Sequence, residues 1–170
     1  KVAVVCCYTP GGDYDENCLE YIQRLADGIH ENNTIGADFF CISIMNLSKL
    51  KNVKRIEPLN GNWKGWHIKA EVFRADLWED YDRVLYIDLD TVIVSNIDKI
   101  LSSKSELTLL LDFYQPDVWE TGMIFFKPGL LDMYAEFNPN NPPPVTKKDA
   151  EIVRNYLMRK NIEPDFFQDK

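Results

Sequence analysis

Arg83-Val84-Leu85-Tyr86-Ile87-Asp88-Leu89-Asp90-Thr91 is the stretch that decides the fold. An apolar run, Val84–Ile87, ends abruptly in two carboxylates two positions apart. The run reads as a strand buried on both faces. In extended backbone, residues i and i+2 project to one side, so Asp88 and Asp90 are expected to approach a common centre. At the carboxyl end of a parallel strand, that centre lies where open α/β sheets bind ligands. Like charges so close repel unless a proton or a cation intervenes. Donors that are all oxygen point to a hard ion, Mn²⁺ or Mg²⁺, completed by substrate phosphates. Aspartate is also common at strand ends for turn reasons alone. Against that plain reading, a second apolar run, Val92-Ile93-Val94, follows directly, a setting that a solvated turn does not need.

Working outward, Val2–Cys7 is another short apolar run, broken by the turn signals of Tyr8-Thr9-Pro10-Gly11-Gly12-Asp13. Between Asp15 and Ile29, Cys18, Leu19, Ile22, Leu25, Ala26 and Ile29 recur at helical spacing. Asp38–Met45 reads as a second strand, with a weaker one over Val53–Glu57. Strand, helix, strand with short loops is a βαβ unit, so a mostly parallel sheet flanked by helices is expected. A helix is predicted over Trp63–Trp78, with Trp66, Ala70, Phe73 and Leu77 on one stripe. Strands are predicted over Arg83–Ile87, Leu107–Leu111 and Gly122–Phe126. The proline-rich Asn138–Pro144 reads as a surface loop. Thr146, with Asp149 three residues on, has the pattern of a capped helix start, and that helix is expected to run to Lys160.

With 170 residues the chain suits one domain, spanning 1–170 and open to being part of a longer protein. Lys and Arg total 19 against 27 Asp and Glu, a net charge of −8, which excludes nucleic acid as the main partner. No apolar stretch approaches the roughly 20 residues of a membrane span, and Lys1–Cys7 reads as a core strand rather than a signal peptide. The four cysteines, Cys6, Cys7, Cys18 and Cys41, lack C-x-x-C spacing and read as small buried hydrophobes. That suits a cytoplasmic or cytoplasm-facing location. A Golgi or secretory lumen is the alternative if an anchor lies outside this chain.

Two families share a strand ending in D-x-D. Asp88-Leu89-Asp90-Thr91-Val92 fits the D-x-D-x-[TV] string of haloacid-dehalogenase-type phosphatases, in which Asp88 would be the nucleophile. That family carries the motif on its first strand, whereas a βαβ unit precedes it here, and no G-D-x-x-x-D follows. The chain from Val2 to Gly129 better resembles GT-A glycosyltransferases, especially the glycogenin-like, family-8-like group. The blocks that carry the resemblance are Trp66-His67-Ile68-Lys69-Ala70-Glu71-Val72-Phe73, then Asp82–Val94 around the D-x-D, then Thr121-Gly122-Met123-Ile124-Phe125-Phe126-Lys127-Pro128-Gly129.

The resemblance implies a Rossmann-like GT-A fold and transfer of a sugar from a nucleotide diphosphate sugar, UDP-linked, to a hydroxyl on a glycan, protein or other acceptor. It implies retained anomeric configuration and a metal held by Asp88 and Asp90. Lys69 would turn its ammonium toward the donor's diphosphate or sugar, although a lysine beside an apolar stripe can also snorkel to water. Tyr8, Thr9, Asp13, Leu89, Thr121 and Gly122 fall at donor-binding positions, with Tyr8 offering a ring to the base. Asp13 and Asp15 serve equally well as helix caps. Asp112, at another strand end, is a candidate base or acceptor ligand, together with Asp117 and Glu120. Trp119 is a candidate sugar-stacking face, and Gln168 and Asp169 resemble an acceptor-side polar segment. His67 reads as a surface histidine. The family's usual late histidine ligand is missing, since the only histidines are His30 and His67. A non-catalytic nucleotide-sugar-binding module is the third reading.

Overall fold

The computed structural model describes residues 1–10, 19–63, 65–115, 117–134 and 149–169. Asp13, Asp15, Cys18, the proline-rich loop and Thr146 lie outside the described residues. Among the described residues, seven strands form one sheet in the order β3-β2-β1-β4-β6-β5-β7. They are β1 (Val2–Tyr8), β2 (Asp38–Ser43), β3 (Lys54–Ile56), β4 (Arg83–Ile87), β5 (Leu107–Leu111), β6 (Trp119–Phe126) and β7 (Asp165–Phe166). β1 pairs in parallel with β2 and β4, β2 with β3, and β5 with β7. β6 runs antiparallel to both of its neighbours. The carboxyl ends of β1, β4 and β5 therefore share one edge of the sheet, and β6 begins there.

Side-chain alternation divides the core into two faces. Val4, Cys6, Leu85, Ile87 and Phe125 pack with α1 (Leu19–Glu31) and α2 (Asp98–Leu101) on one face. Val5, Val84, Tyr86 and Ile124 pack on the other with Ile68, Val72 and Phe73 and with Val153 and Leu157 of α3 (Asp149–Lys160). The α1 stripe buries Ile22, Leu25, Ala26 and Ile29, the spacing its sequence displays. Full burial of each such aliphatic side chain contributes about 1.5–3 kcal/mol of transfer free energy. Cys6, Cys7 and Cys41 are reduced and buried, and burial pushes the thiols of Cys6 and Cys7 well up. No helix among the described residues is long and apolar enough to cross a membrane.

The helix predicted over Trp63–Trp78 is two 3₁₀ segments instead, Gly65–Phe73 and Ala75–Trp78. Every residue from His67 to Phe73 is buried, so there is no wet face of the kind an amphipathic α-helix needs. A 3₁₀ run of nine residues is uncommonly long. Glu71 holds it: the carboxylate, 0% exposed, accepts from Leu59 N, Asn60 N, Trp63 Nε1 and Tyr134 Oη, and pairs with Arg74 at 3.0 Å.

A bulge sets up the site. Leu109 of β5 pairs with Ile124, but the next residue, Leu110, pairs with Glu120. Thr121, Gly122 and Met123 are thereby released from β5, and β6 follows β4 instead, with Met123 opposite Ile87. Bulges of this kind re-aim side chains beside functional sites.

Candidate active site

Asp88 continues the β4 alternation of Val84 and Tyr86, so it emerges on the face covered by the 3₁₀ segment and α3. Its N–H donates to Gly122 O at 2.8 Å, which extends the β4–β6 ladder one rung past Ile87. Its Oδ1 accepts from the Tyr86 hydroxyl and lies 3.1 Å from Lys69 Nζ. Lys69 is 4% exposed. Its ammonium also pairs with Asp149 and donates to Thr121 O at 3.2 Å, lying 4.8 Å from the Tyr86 ring centre. Thr121 Oγ1 donates to Asp149 Oδ2 at 2.7 Å.

The result is a row of carboxylate, ammonium and carboxylate, with Asp88 and Asp149 opening onto a cleft of about 260 Å³. Leu110, Leu111, Glu120, Thr121 and Gly122 also line it. Burial by itself pulls the Lys69 pKa down, but Asp88 and Asp149 outweigh it and hold the ammonium above its ordinary value. Burial pushes the Asp149 carboxyl up, yet Lys69 and Thr121 bring it below the usual aspartate value. The Tyr86 phenol is pushed well up, first by burial and then by Asp88, so it stays a proton donor to the carboxylate.

Gly122 owes its place to Asp88. A Cβ built on it would stand 3.3 Å from Asp88 Oδ2, so any side chain there would crowd the carboxylate.

Several sequence expectations are corrected. Lys69 neither snorkels to water nor points free into the cleft: its three N–H bonds go to Asp88, Asp149 and Thr121. Asp88-Leu89-Asp90 is a turn rather than extended backbone, with Thr91 N donating to Asp88 O at 3.1 Å. The i, i+2 argument therefore does not apply; Asp90 is exposed, and Leu89 packs into the core on the α1 face. Tyr8, 1% exposed, also belongs to that core and has no face to give a base. Thr9 is buried, its hydroxyl directed at Trp63 O at 3.4 Å. His67 is buried beside Trp66, not on the surface.

Asp112 caps a turn, its Oδ1 accepting from Tyr114 N at 2.7 Å and Gln115 N at 2.8 Å, and it lines the cleft. Asp117 is exposed outside the cleft lining, whereas Glu120 is part of it. Trp119 packs on Phe166 and under the Arg154 guanidinium instead of facing a ligand. Gln168 clamps Leu111, donating to its O at 2.8 Å and accepting from its N. Sequence reasoning missed Asp149 as a site residue, reading it as part of a helix cap. It also missed Tyr86, whose i−2 position before Asp88 was the available signal.

Among the described residues no group of three or more His, Cys, Asp or Glu side chains is placed to hold a metal. Two carboxylates stand at the end of β4, of which Asp88 lines the cleft and Asp90 does not. Asp88 Oδ2 faces the Cβ-free space at Gly122, and Asp90 is exposed in the adjoining turn. Two carboxylates with the remaining ligands drawn from substrate phosphate and water is how Mg²⁺-type ions are commonly held.

No protein-family model matches the chain, and no curated protein matches it. Among solved structures it is similar to the apo form of the glycosyltransferase GlyE from Streptococcus pneumoniae TIGR4, with a TM-score of 0.62 and 12% identity over 98% of this chain and 45% of GlyE. An active-site mutant of LgtC gives a TM-score of 0.63 and 13% identity over 91% of this chain and 69% of that one. The galactosyltransferase LgtC in complex with donor and acceptor sugar analogs gives 0.57 and 15% over 95% and 66%. The fold is thus that of GT-A glycosyltransferases, a mixed α/β sheet flanked by helices, and the chain spans less than half the length of GlyE.

Proposed function

We propose that the chain is a metal-dependent glycosyltransferase that moves a sugar from a nucleotide diphosphate sugar, UDP-linked, to a hydroxyl acceptor with retention of configuration. The observation that carries this reading is the Asp88–Lys69–Asp149 row at the shared strand ends, within a sheet whose known relatives in shape transfer sugars. In open sheets the ligand crevice lies where strand order reverses, here between β1 and β4. Asp88 and Asp90 would hold Mn²⁺ or Mg²⁺, which when bound supplies neutralising charge to a departing nucleoside diphosphate.

The chain's own residues have separate tasks. Lys69 is a positioning residue: it fixes two carboxylates that would otherwise repel. Gly122 keeps a side chain from crowding Asp88. Thr121 orients Asp149, whose lowered pKa keeps it an anion and a hydrogen-bond acceptor for sugar hydroxyls. The cleft then confines an acceptor oxygen near the anomeric carbon, which converts an intermolecular encounter into a positioned one.

A thermal shift with UDP, with and without Mn²⁺, tests the reading, followed by a panel of nucleotide sugars scored for hydrolysis. Stabilisation by UDP only in the presence of Mn²⁺, with one donor hydrolysed, is the expected result, and Asp88→Asn should abolish both. A phosphatase would instead hydrolyse a generic phosphoester and ignore UDP. That reading is weakened by Asp88 following the fourth strand and not the first, with Oδ1 engaged by Tyr86 and Lys69. A binding module would be stabilised but hydrolyse nothing.

A further inference from the structure

Asp112 N donates to Val118 O, Val118 N donates to Gln115 O, and the Asp112 carboxylate accepts from Tyr114 N and Gln115 N. The connection from β5 to β6 is thus tied down at its base. It nevertheless carries two consecutive aromatic side chains out of the core: Phe113 is 83% and Tyr114 95% exposed. Turns favour Gly, Pro, Asn, Asp and Ser for backbone reasons, and none of those reasons calls for Phe or Tyr. Both rings border the same cleft as Asp88, Glu120, Thr121 and Asp149.

We infer that Phe113 and Tyr114 form a platform for the ring of a neutral saccharide acceptor. This rests on the glycosyltransferase reading above and adds the acceptor class and the residues that select it. A pyranose presents an apolar C–H face ringed by hydroxyls, so it needs an aromatic surface beside hydrogen-bond acceptors. Phe113 and Tyr114 beside Glu120 and Asp149 provide that pairing. By strand order, the switch point between β1 and β4, where open sheets bind ligands, is on one side of Asp88, and the β5 end is on the other.

Two features argue against other acceptors. An extended peptide that docks by strand addition would find the outer edge of β5 already covered. Thr108 and Leu109 pair with Asp165 and Phe166, and Gln168 clamps Leu111. Among the described residues the cleft lining carries Asp88, Asp112, Glu120 and Asp149 but no Lys or Arg, and Lys69 behind it is already paired with Asp88 and Asp149, so an anionic acceptor would meet like charge.

The test uses the whole chain, its preferred nucleotide sugar, and four neutral probes: methyl β-glucoside, methyl β-galactoside, cellobiose and lactose. Saturation-transfer NMR and transfer assays are run on the parent, Phe113→Ala and Tyr114→Ala. Both side chains are exposed, so melting temperatures should match the parent. At least one probe should bind and accept sugar. Each variant should then raise its KM about tenfold or more while leaving the KM for the donor and the rate of donor hydrolysis unchanged. The inference is overturned if the parent hydrolyses the donor but binds none of the four saccharides, or if it accepts only a Ser/Thr peptide. Unchanged acceptor KM in both variants, or a rise in donor KM instead, overturns it too. A parent that hydrolyses no nucleotide sugar overturns the glycosyltransferase reading itself, and this inference with it.

Discussion

Two buried charged clusters sit two residues apart on one 3₁₀ segment, and they face opposite fates. Glu71 is 0% exposed and satisfied on every side by backbone N–H groups, Trp63, Tyr134 and Arg74. Lys69 is almost as deeply buried, but its partners Asp88 and Asp149 keep side-chain exposures of 35% and 20% at a cleft. A closed set of donors makes Glu71 a clamp that joins the Leu59–Trp63 loop to the core. An ammonium whose two carboxylates both reach solvent makes Lys69 the back wall of a site. Burial of charge does not by itself mark function; what distinguishes the two is whether any partner still has capacity for a ligand.

The contrast is broken or sharpened by substitution. Glu71→Leu takes the acceptor from Arg74 Nη1, Trp63 Nε1 and the Leu59 and Asn60 N–H groups, leaving Arg74 only Asp76, and should cost about 3–5 kcal/mol of stability by denaturant titration. Lys69→Met should cost clearly less, because the carboxylates it releases can be hydrated, while lowering nucleotide-sugar hydrolysis by about a hundredfold or more. Equal destabilisation by the two would erase the distinction between clamp and site. Gly122→Ala should lower donor turnover about tenfold with little change in melting temperature. The reason is that its Cβ would press on Asp88 Oδ2 at 3.3 Å, with Leu110 Cδ1 at 3.9 Å as the next neighbour.

The smallest expected effect is in pH. Asp149 has a lowered pKa in the folded chain, so its contribution is present above the unfolded aspartate value of about 3.9 and is lost as pH falls through the folded one. Lys69 has a raised pKa, so its contribution is complete below the unfolded lysine value of about 10.4 and is lost as pH rises through the folded one. Stability of the parent should fall off at both extremes. In Lys69→Met the alkaline limb should flatten, and the acid limb with it, as Asp149 loses the cation that lowers its pKa.

Much of the parallel half was legible. Arg83–Ile87 and Leu107–Leu111 were predicted to the residue, and β1 and β2 nearly so, because continuous apolar runs of that length have few alternatives to a buried strand. The Trp63–Trp78 segment was misread because its apolar spacing resembles a one-sided helix, whereas contacts from every direction bury it. At the site, Asp88, Lys69, Thr121 and Gly122 were named from sequence and are brought together. Tyr8 and Trp119 carried the right chemistry for a ligand but were claimed by the core and by Arg154.

The sequence by itself determined the sheet's parallel core and put Asp88 at its carboxyl edge, since local hydrophobic periodicity and the end of an apolar run are read without knowing any partner. Tertiary structure alone decided that Asp149, 61 positions further along the chain from Asp88, would meet Lys69, that a bulge after Leu109 would turn Thr121 and Gly122 toward them, and that Phe113 and Tyr114 would stay outside. Those outcomes depend on strand register and on competition for burial among segments far apart in sequence, and neither is encoded in any one stretch of residues.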